Sequence, residues 1–219
     1  MTRMNRILAG PIALVIVSLA CTTLPASPES PEPVFPTGSI LYQDDFSNPA
    51  SGWDRLLTAE GIMDYDAGGY RILVNSPQTN FWSSPQRLFS DVRIEVDTGK
   101  LGGPDENRSG VVCRLTGSDY YFFIITNDGY YGIGVFAAGQ ATLLGQQEMQ
   151  TSEHIKTGLA VNHLRADCAA DTLSFFVNGF LLAEVQDSRL SSGEVGLLAG
   201  TFTQPGVDLV FDNFVVFQP

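Results

Sequence analysis

The sequence predicts an all-β protein, a two-sheet antiparallel jelly-roll β-sandwich, and three observations favour this fold. From Ser39 onward, no stretch with helical periodicity is longer than about ten residues. Short runs of β-branched and aromatic residues recur between clusters of glycine, asparagine, aspartate and serine, as strands and turns require. These runs make roughly a dozen strands, which is more than an immunoglobulin domain uses and suits two sheets of six or seven strands.

Size and charge restrict the classes of protein to consider. The chain has 219 residues, 44% of them hydrophobic and 11% aromatic, which is enough for one well-filled core. The formal net charge is -12, and removal of residues 1–20 with Arg3 and Arg6 would leave 10 basic against 24 acidic residues, or -14. Such a surface repels phosphate backbones and anionic lipid headgroups, so we expect no nucleic-acid partner.

The first residues predict a signal peptide over positions 1–20. Arg3 and Arg6 precede an apolar run of about 14 residues, which is shorter than the ~20 residues that a spanning helix needs. Cys21 directly follows Ser-Leu-Ala, so the segment resembles a bacterial lipobox, although Ser18 stands where that motif usually has leucine. The alternative is ordinary cleavage after Ala20 or Ala26. The protein is therefore expected to be exported and, if Cys21 is acylated, lipid-anchored to the cell envelope.

Residues 21–38 predict an extended tether between this anchor and the folded domain, which we place at residues 39–219. Five prolines alternate with serine, threonine and glutamate before the domain begins; they are Pro25, Pro28, Pro31, Pro33 and Pro36. A chain of this composition lies near polyproline II and spans up to ~50 Å at about 3.1 Å per residue. The membrane is thus expected to be contacted through the lipid anchor only.

Several strands and hairpins can be placed from the sequence. The segment DVRIEVDTGK alternates apolar residues with charged ones and predicts a strand that turns Val92, Ile94 and Val96 inward. Three hairpins are predicted, turning at 67–69, at 127–129 and at the Asn-Gly pair 178–179. The segment Gly145 to Gly158 is compatible with one helical turn or with a plain loop.

An ordered series of short motifs resembles the concanavalin A-like lectin/glucanase superfamily. The motifs are DDFSNPASGW, GGYRILV, GVVCR, DYYFFIITNDGYYGIG, LRADCAADTLSFFVNG, GEVGLLAGT and VDLVFDNFVV. They span nearly all of the chain from Leu41 to Phe217 and are more narrowly similar to laminin G-like and 3-keto-disaccharide-hydrolase-like domains of bacterial lipoproteins. The resemblance implies that the first and last strands lie side by side. It implies a fold more than an activity, because the superfamily includes lectins, hydrolases and adhesion modules.

The two remaining cysteines, Cys113 and Cys168, predict a disulfide bond, because an exported chain usually pairs its cysteines. Both lie in predicted strands, which suits a cross-strand or cross-sheet bridge. The alternative is two buried thiols that act as small hydrophobic side chains.

No catalytic residue is predicted. The glucanase signature E-x-D-x-x-E begins with Glu95 and Asp97, but Lys100 occupies the position of the second glutamate, so that activity is not transferred. His154 and His163 have neither the spacing of a zinc pair nor a neighbouring cluster of ligand residues in the sequence. Glu95 and Asp97 are interpreted as polar residues on an outward strand face.

Sugar binding requires an aromatic platform and a few polar side chains that fix hydroxyl groups. The predicted ligand-binding residues are Trp82, Arg114, Tyr121, Asn127, Asp128 and Tyr131. Only one tyrosine of each adjacent pair can face a ligand, because side chains alternate along a strand. The alternative is that these aromatic residues only fill the sandwich.

A structural calcium ion is a further expectation, and no other cofactor is predicted. Asp44, Asp45 and Asp212 would meet if the terminal strands pair, and calcium prefers such oxygen ligands. The alternative is that these aspartates form turns or protect strand edges.

Three functional hypotheses follow from the sequence. The first is an extracytoplasmic lipoprotein without catalytic activity that binds a glycan or another cell-surface partner. The second is a glycoside or keto-disaccharide hydrolase-like enzyme, and the third is a structural envelope module without a small ligand. The missing carboxylate at position 100 favours the first over the second.

Overall fold

A computed structural model describes residues 38–219, which correspond to the predicted domain and the last residue of the predicted tether. The predicted signal peptide, the candidate lipidation site Cys21 and the rest of the tether lie outside the described residues. Over residues 38–219 no helix is long and apolar enough to cross a membrane.

The larger sheet, hereafter sheet A, contains nine antiparallel strands. They are β1 (Ile40–Asp44), β2 (Leu56–Leu57), β3 (Gly61–Asp66), β4 (Gly69–Val74), β7 (Val92–Gly102), β13 (Asn162–Ala169), β14 (Thr172–Val177), β15 (Phe180–Gln186) and β17 (Val207–Phe217). Their order is β15-β14-β13-β7-β17-β4-β3-β2, and β1 pairs with the last part of β17.

The second sheet, hereafter sheet B, contains eight antiparallel strands. They are β5 (Asn80–Ser83), β6 (Leu88–Phe89), β8 (Asn107–Thr116), β9 (Asp119–Ile125), β10 (Tyr130–Ala137), β11 (Gln140–Leu143), β12 (Gln150–Thr151) and β16 (Gly193–Thr201). The order is β11-β10-β9-β8-β16-β5, with β12 beside β10 and β6 beside β16.

The main core lies between the two sheets. Val92, Ile94 and Val96 of β7 are fully buried in it, as their alternation predicts. Alternate residues of β9 enter the same core from sheet B, including Tyr121 and Phe123. The architecture is the predicted antiparallel sandwich, and the sheets contain more strands than predicted, partly because of the two-residue strands β2, β6 and β12.

The predicted hairpins are confirmed. Asp66 pairs with Gly69 across the first turn, where Ala67 and Gly68 have positive φ angles. Asn178 and Gly179 also have positive φ angles, as a type I′ turn requires. The segment from Gly145 to Gly158 contains β12 and turns but no helical turn.

The predicted disulfide is present and joins the two sheets. Cys113 lies on β8 of sheet B and Cys168 on β13 of sheet A, and both are fully buried. The bond closes a segment with a sequence separation of 55 residues. The prediction that the terminal strands pair is also confirmed, because Ile40 faces Phe217 in the β1–β17 ladder.

Candidate functional site

The outer face of sheet B carries a second apolar cluster, separate from the main core. Side chains alternate along strand β9, so Tyr121 and Phe123 enter the main core. Tyr120, Phe122 and Ile124 point to the opposite, outer face. The outward cluster consists of Val112, Leu115, Tyr120, Phe122, Ile124 and Leu198, with Trp82, Phe136, Leu143 and Met149 packed against it. The six residues of this cluster are buried, so they form a small second core, and the partly buried residues packed around it, Phe136 among them, are the ones left open to a ligand.

Two glycines make room on this face for larger side chains. A Cβ atom at Gly134 of β10 would lie 2.1 Å from the ring of Phe122, and one at Gly200 of β16 would lie 2.1 Å from Oδ1 of Asn80. Any other residue at these positions would therefore displace the ring or the amide. The glycines fix an aromatic floor and a polar group within one depression.

That depression, hereafter the outer-face groove, is a cavity of about 180 Å³. Its lining residues are Gln78, Asn80, Arg108, Tyr120, Phe122, Ile124, Phe136, Ala141 and Leu198. Tyr120 and Phe136 stack with their ring centroids 5.4 Å apart and an interplanar angle of 13°. The volume is below the 300–1,000 Å³ of drug-sized ligand sites, so the groove suits one small group such as a single sugar ring.

Arg108 supplies the charge of the groove. Its Nη1 donates to Oδ1 of Asn80 at 2.9 Å and to the carbonyl oxygen of Thr201 at 2.7 Å. The guanidinium lies over the ring of Phe202, 3.9 Å from the centroid. Burial lowers the pKa of Arg108, and the charges of Tyr120 and Glu106 oppose this change. Burial raises the pKa of the Tyr120 phenol, while its hydrogen bond with Asn80 and the charge of Arg108 act in the opposite direction.

Trp82 is the predicted ligand-binding residue that lies on this face. It pairs with Leu198 across β5 and β16 and packs against the outward cluster. Its indole is partly exposed beside the groove. Trp53, in contrast, is buried in the main core and donates its Nε1 hydrogen to Asp44 at 2.9 Å.

Two other predicted binding residues are buried and already bound to protein groups. Tyr121 has no exposed surface, and its hydroxyl donates to Oδ1 of Asp187 at 2.5 Å. Arg114 donates to the carbonyl oxygens of Leu190 and Ala170 at 2.7 and 2.6 Å and pairs with Asp91. These contacts make both residues parts of the scaffold, and we do not include them in the candidate site.

The remaining predicted residues lie around the β9–β10 hairpin but do not meet in one site. Tyr131 packs against the main core and donates its hydroxyl hydrogen to the carbonyl oxygen of Leu182 at 3.0 Å. Asn127 is buried and donates to the carbonyl oxygen of Gly158 at 2.8 Å. Asp128 is exposed at the tip and accepts a hydrogen bond from Thr126. The tyrosine of the β9 pair that faces outward is therefore Tyr120 rather than the predicted Tyr121.

The candidate calcium ligands are engaged by protein donors. Asp44 accepts hydrogen bonds from the Phe46 amide at 2.8 Å and from Trp53, and Asp45 accepts from Ser47. The Asn213 amide donates to Asp212 at 2.7 Å. Over residues 38–219 no three His, Cys, Asp or Glu residues form a group able to hold a metal. Calcium binding by these aspartates stays a prediction.

His163 does have carboxylate neighbours, contrary to the expectation from sequence spacing. Its Nδ1 lies 2.8 Å from Oδ1 of Asp97, and its Nε2 lies 3.6 Å from Oε2 of Glu95. The cross-strand pairing of β13 with β7 creates this contact, which sequence spacing does not reveal. The two carboxylates raise the pKa of His163 to about 9. Glu95 and Asp97 face outward from sheet A, so they are on a different sheet from the outer-face groove.

Within residues 38–219, three larger clefts also contain aromatic residues, and the smallest of the three, of about 330 Å³, includes the exposed Tyr130 and also Phe202. One of about 510 Å³ includes Tyr42, whose ring is covered by the guanidinium of Arg87 at 4.8 Å. Another of about 580 Å³ includes Tyr131, and the rest of its lining comes mainly from glutamine, glutamate and small apolar residues. The outer-face groove combines stacked rings with a cation and amides, which favours it despite its smaller volume.

Asn80, Arg108, Tyr120 and Phe136 were not predicted as site residues. They lie on four different strands, so only the strand order and register bring them together. One signal was present in the sequence, because YYFFII in β9 is apolar in both alternating sets. A strand of that kind is apolar on both faces, which indicates that its outward face is also covered or used.

Comparisons with known proteins identify the fold. The domain is similar to the carbohydrate-binding module CBM66 from Bacillus subtilis, with 18% identity, a TM-score of 0.53, and coverage of 76% of this chain and 96% of that one. It is also similar to a Bacillus subtilis protein of unknown function with a galectin-like fold, with 11% identity, a TM-score of 0.61, and coverage of 84% and 98%. For the β-glucanase of Bacillus licheniformis the identity is 11%, the TM-score 0.59, and the coverage 84% and 100%.

These likenesses show the concanavalin A-like jelly-roll fold that the sequence predicted. No protein-family profile matches the chain, and no curated protein matches it by sequence. At such low identities the structures show the fold alone.

Proposed function

We propose that residues 39–219 form a carbohydrate-binding domain without catalytic activity and that the outer-face groove of sheet B takes the sugar. The observation that carries the proposal is the combination of stacked Tyr120 and Phe136 rings with the side chains of Asn80 and Arg108 in one small cavity. Aromatic faces pack on the apolar face of a pyranose, while amide and guanidinium groups bind its hydroxyl oxygens.

The similar structures add circumstantial support. One of them is a carbohydrate-binding module, and others are glycoside hydrolases, including a laminarinase from Flavobacterium sp. UMI-01. For this chain the binding role has a candidate site in the outer-face groove, whereas hydrolysis lacks the second carboxylate of the glucanase signature, whose position is occupied by Lys100. The binding role is therefore the one we adopt.

The location proposed for this function is the cell envelope, outside the cytoplasm. The disulfide between Cys113 and Cys168 supports an oxidising compartment, where such bonds persist. We propose that acylated Cys21 anchors the domain and that its partners are glycans or glycan-bearing proteins of the cell surface.

Isothermal titration of the purified protein, after a glycan-array screen, tests the binding proposal. Saturable binding to at least one glycan is expected. Phe136→Leu should weaken that binding about tenfold, because it removes the stacked ring, at 1.4 kcal/mol per factor of ten. Asn80→Ala should weaken it to a similar extent by removing one polar contact and releasing Arg108.

Asn75→Ala is the matched control, because Asn75 is also exposed and precedes β5 but does not line the groove. Its binding constant should equal that of the unchanged protein. Equal losses in both asparagine variants would count against the groove, and silence across the array would favour the structural-module hypothesis. In that case co-purification of protein partners would be the next measurement.

A further inference from the structure

We infer that the outer-face groove selects acidic sugars, with Arg108 binding a carboxylate group on the ligand. This inference rests on the proposed function and names its ligand class. The ligand would be a glycan that carries a uronic acid or a similar carboxylated residue. The planar guanidinium can form two parallel, charge-assisted hydrogen bonds with a carboxylate. A neutral sugar has no carboxylate group and cannot form this ion pair.

The first argument is that Arg108 forms no ion pair with a carboxylate within residues 38–219. The other lysine and arginine side chains there form ion pairs with Asp, with the exceptions of Arg87 and Lys156. Those two exceptions are exposed to solvent, whereas Arg108 is half-buried in the groove. The charge of Glu106 acts on Arg108 but forms no ion pair with it, and a partly desolvated cation without an ion pair is costly in a folded protein, so a bound anion would offset part of that cost.

The second argument is the hydrogen-bonding capacity of the guanidinium. Nη1 is used by Asn80 and by the carbonyl oxygen of Thr201. Within the part of the chain that the structure describes, Nε and Nη2 donate to no protein acceptor. Asn80 accepts a hydrogen bond at one edge of the guanidinium, and the ring of Phe202 packs against one of its faces. The guanidinium is therefore oriented before any ligand binds.

The third argument concerns the local charge. The whole chain has a formal net charge of -12, which repels anions at long range. The lining of the groove, in contrast, contains Arg108 and neither aspartate nor glutamate. This is a positively charged depression on an acidic protein, so an anionic sugar is attracted to the groove and repelled by the surrounding surface.

Matched pairs of sugars test the inference. Titrations would use methyl β-D-glucuronide against methyl β-D-glucoside, and methyl α-D-galacturonide against methyl α-D-galactoside. At least one acidic member should bind about tenfold or more tightly than its neutral counterpart, as expected for hydrogen bonds to a charged group. The preference should narrow in 1 M salt, because screening weakens the ion pair.

Arg108→Gln should abolish the preference for the acidic sugar and leave weak binding of both members. Arg87→Gln makes the same change in net charge at an exposed arginine outside the groove, and it should keep the preference. Thermal unfolding of both variants checks that they are folded.

The outcomes separate the inference from the proposed function. Neutral and acidic sugars that bind equally, at the groove as judged by Phe136→Leu, would overturn the inference and leave the carbohydrate-binding proposal in place. A preference that both arginine variants lose would assign it to overall charge and would also overturn the inference. Binding of no member of either pair, with a silent glycan array, would overturn both.

Discussion

His163 is a side chain whose protonation at neutral pH depends on the fold. Its two ring nitrogens face Asp97 and Glu95, and Asn213 donates to the other oxygen of Asp97 at 2.9 Å. Hydrogen bonds to both carboxylates raise the pKa of His163 from 6.5 to about 9. The imidazole is therefore charged in the folded protein at neutral pH and is largely neutral in the unfolded chain.

The free energy of unfolding should consequently fall as the pH rises from about 6.5 to 9. Below pH 6.5 the folded and unfolded states are both protonated and the ion pair contributes fully; above pH 9 the folded state also loses the proton, and the contribution is gone. At about 1.36 kcal/mol per pKa unit, the contribution is at most about 3 kcal/mol. Urea unfolding of the protein and of His163→Gln at pH 6 and pH 9.5 measures it.

The free energies of unfolding of the unchanged protein and of His163→Gln are expected to differ strongly at pH 6 and only slightly at pH 9.5. The matched control is His154→Gln, because His154 stacks on Phe180 and has no carboxylate partner within residues 38–219. A difference for His163→Gln that is the same at both pH values would contradict the ion-pair explanation.

The sequence alone does not reveal which side chains of a strand face outward, and this limited the prediction of the candidate site. Alternation in β9 correctly requires one tyrosine of the pair to face outward, but it does not say which, because Tyr121, Phe123 and Ile125 are as apolar as their neighbours. The residue that sets the direction is Cys113, which pairs with Tyr121 in the neighbouring strand and must point inward to reach Cys168. A prediction that combined the disulfide with the strand register would have selected Tyr120.

At the scale of elements, the disulfide clamps β8 of sheet B to β13 of sheet A. Cross-linking limits the unfolded chain, and for a loop of this length the chain-entropy relation gives about 4 kcal/mol. Cys113→Ala/Cys168→Ala should lower the free energy of unfolding by about that amount in urea titrations. A reducing agent should produce a similar loss in the unchanged protein and none in the double variant.

If the double variant and the oxidised protein unfold at the same urea concentration, the bond contributes nothing to stability. A loss in the variant that the reducing agent does not reproduce would instead indicate damage to core packing. The two measurements therefore separate the cross-link from the volume of the sulfur atoms.

Hairpins were the elements best predicted from sequence. The Asn178-Gly179 and Ala67-Gly68 turns require positive φ angles, and local chemistry is enough to identify them. The short strands β2, β6 and β12 were missed because two residues carry no periodicity, and they exist only where a longer neighbour offers hydrogen bonds. The order of strands in the sheets depends on long-range pairing, for which resemblance to known sandwiches gave more information than local pattern.

At the scale of the whole molecule, the anchoring hypothesis makes its own prediction. Metabolic labelling with palmitate should mark the protein expressed in a bacterial host, and Cys21→Ala should lose the label and appear in the soluble fraction. The double alanine variant of Cys113 and Cys168 is the control, because it removes cysteines but leaves the candidate lipobox intact. Labelling that survives Cys21→Ala would contradict the anchor.

The ladder between β1 and β17 has a mechanical consequence. Ile40 pairs with Phe217, and the Gln218 amide donates to the carbonyl oxygen of Ser39 at 2.9 Å, so both ends of the described domain emerge at the same point. Tension applied between residues 38 and 219 would therefore load these bonds one at a time. Under such a pull the β1–β17 ladder would open from its end like a zipper, and the force on Phe217 would also reach its other partner, Arg93 of β7.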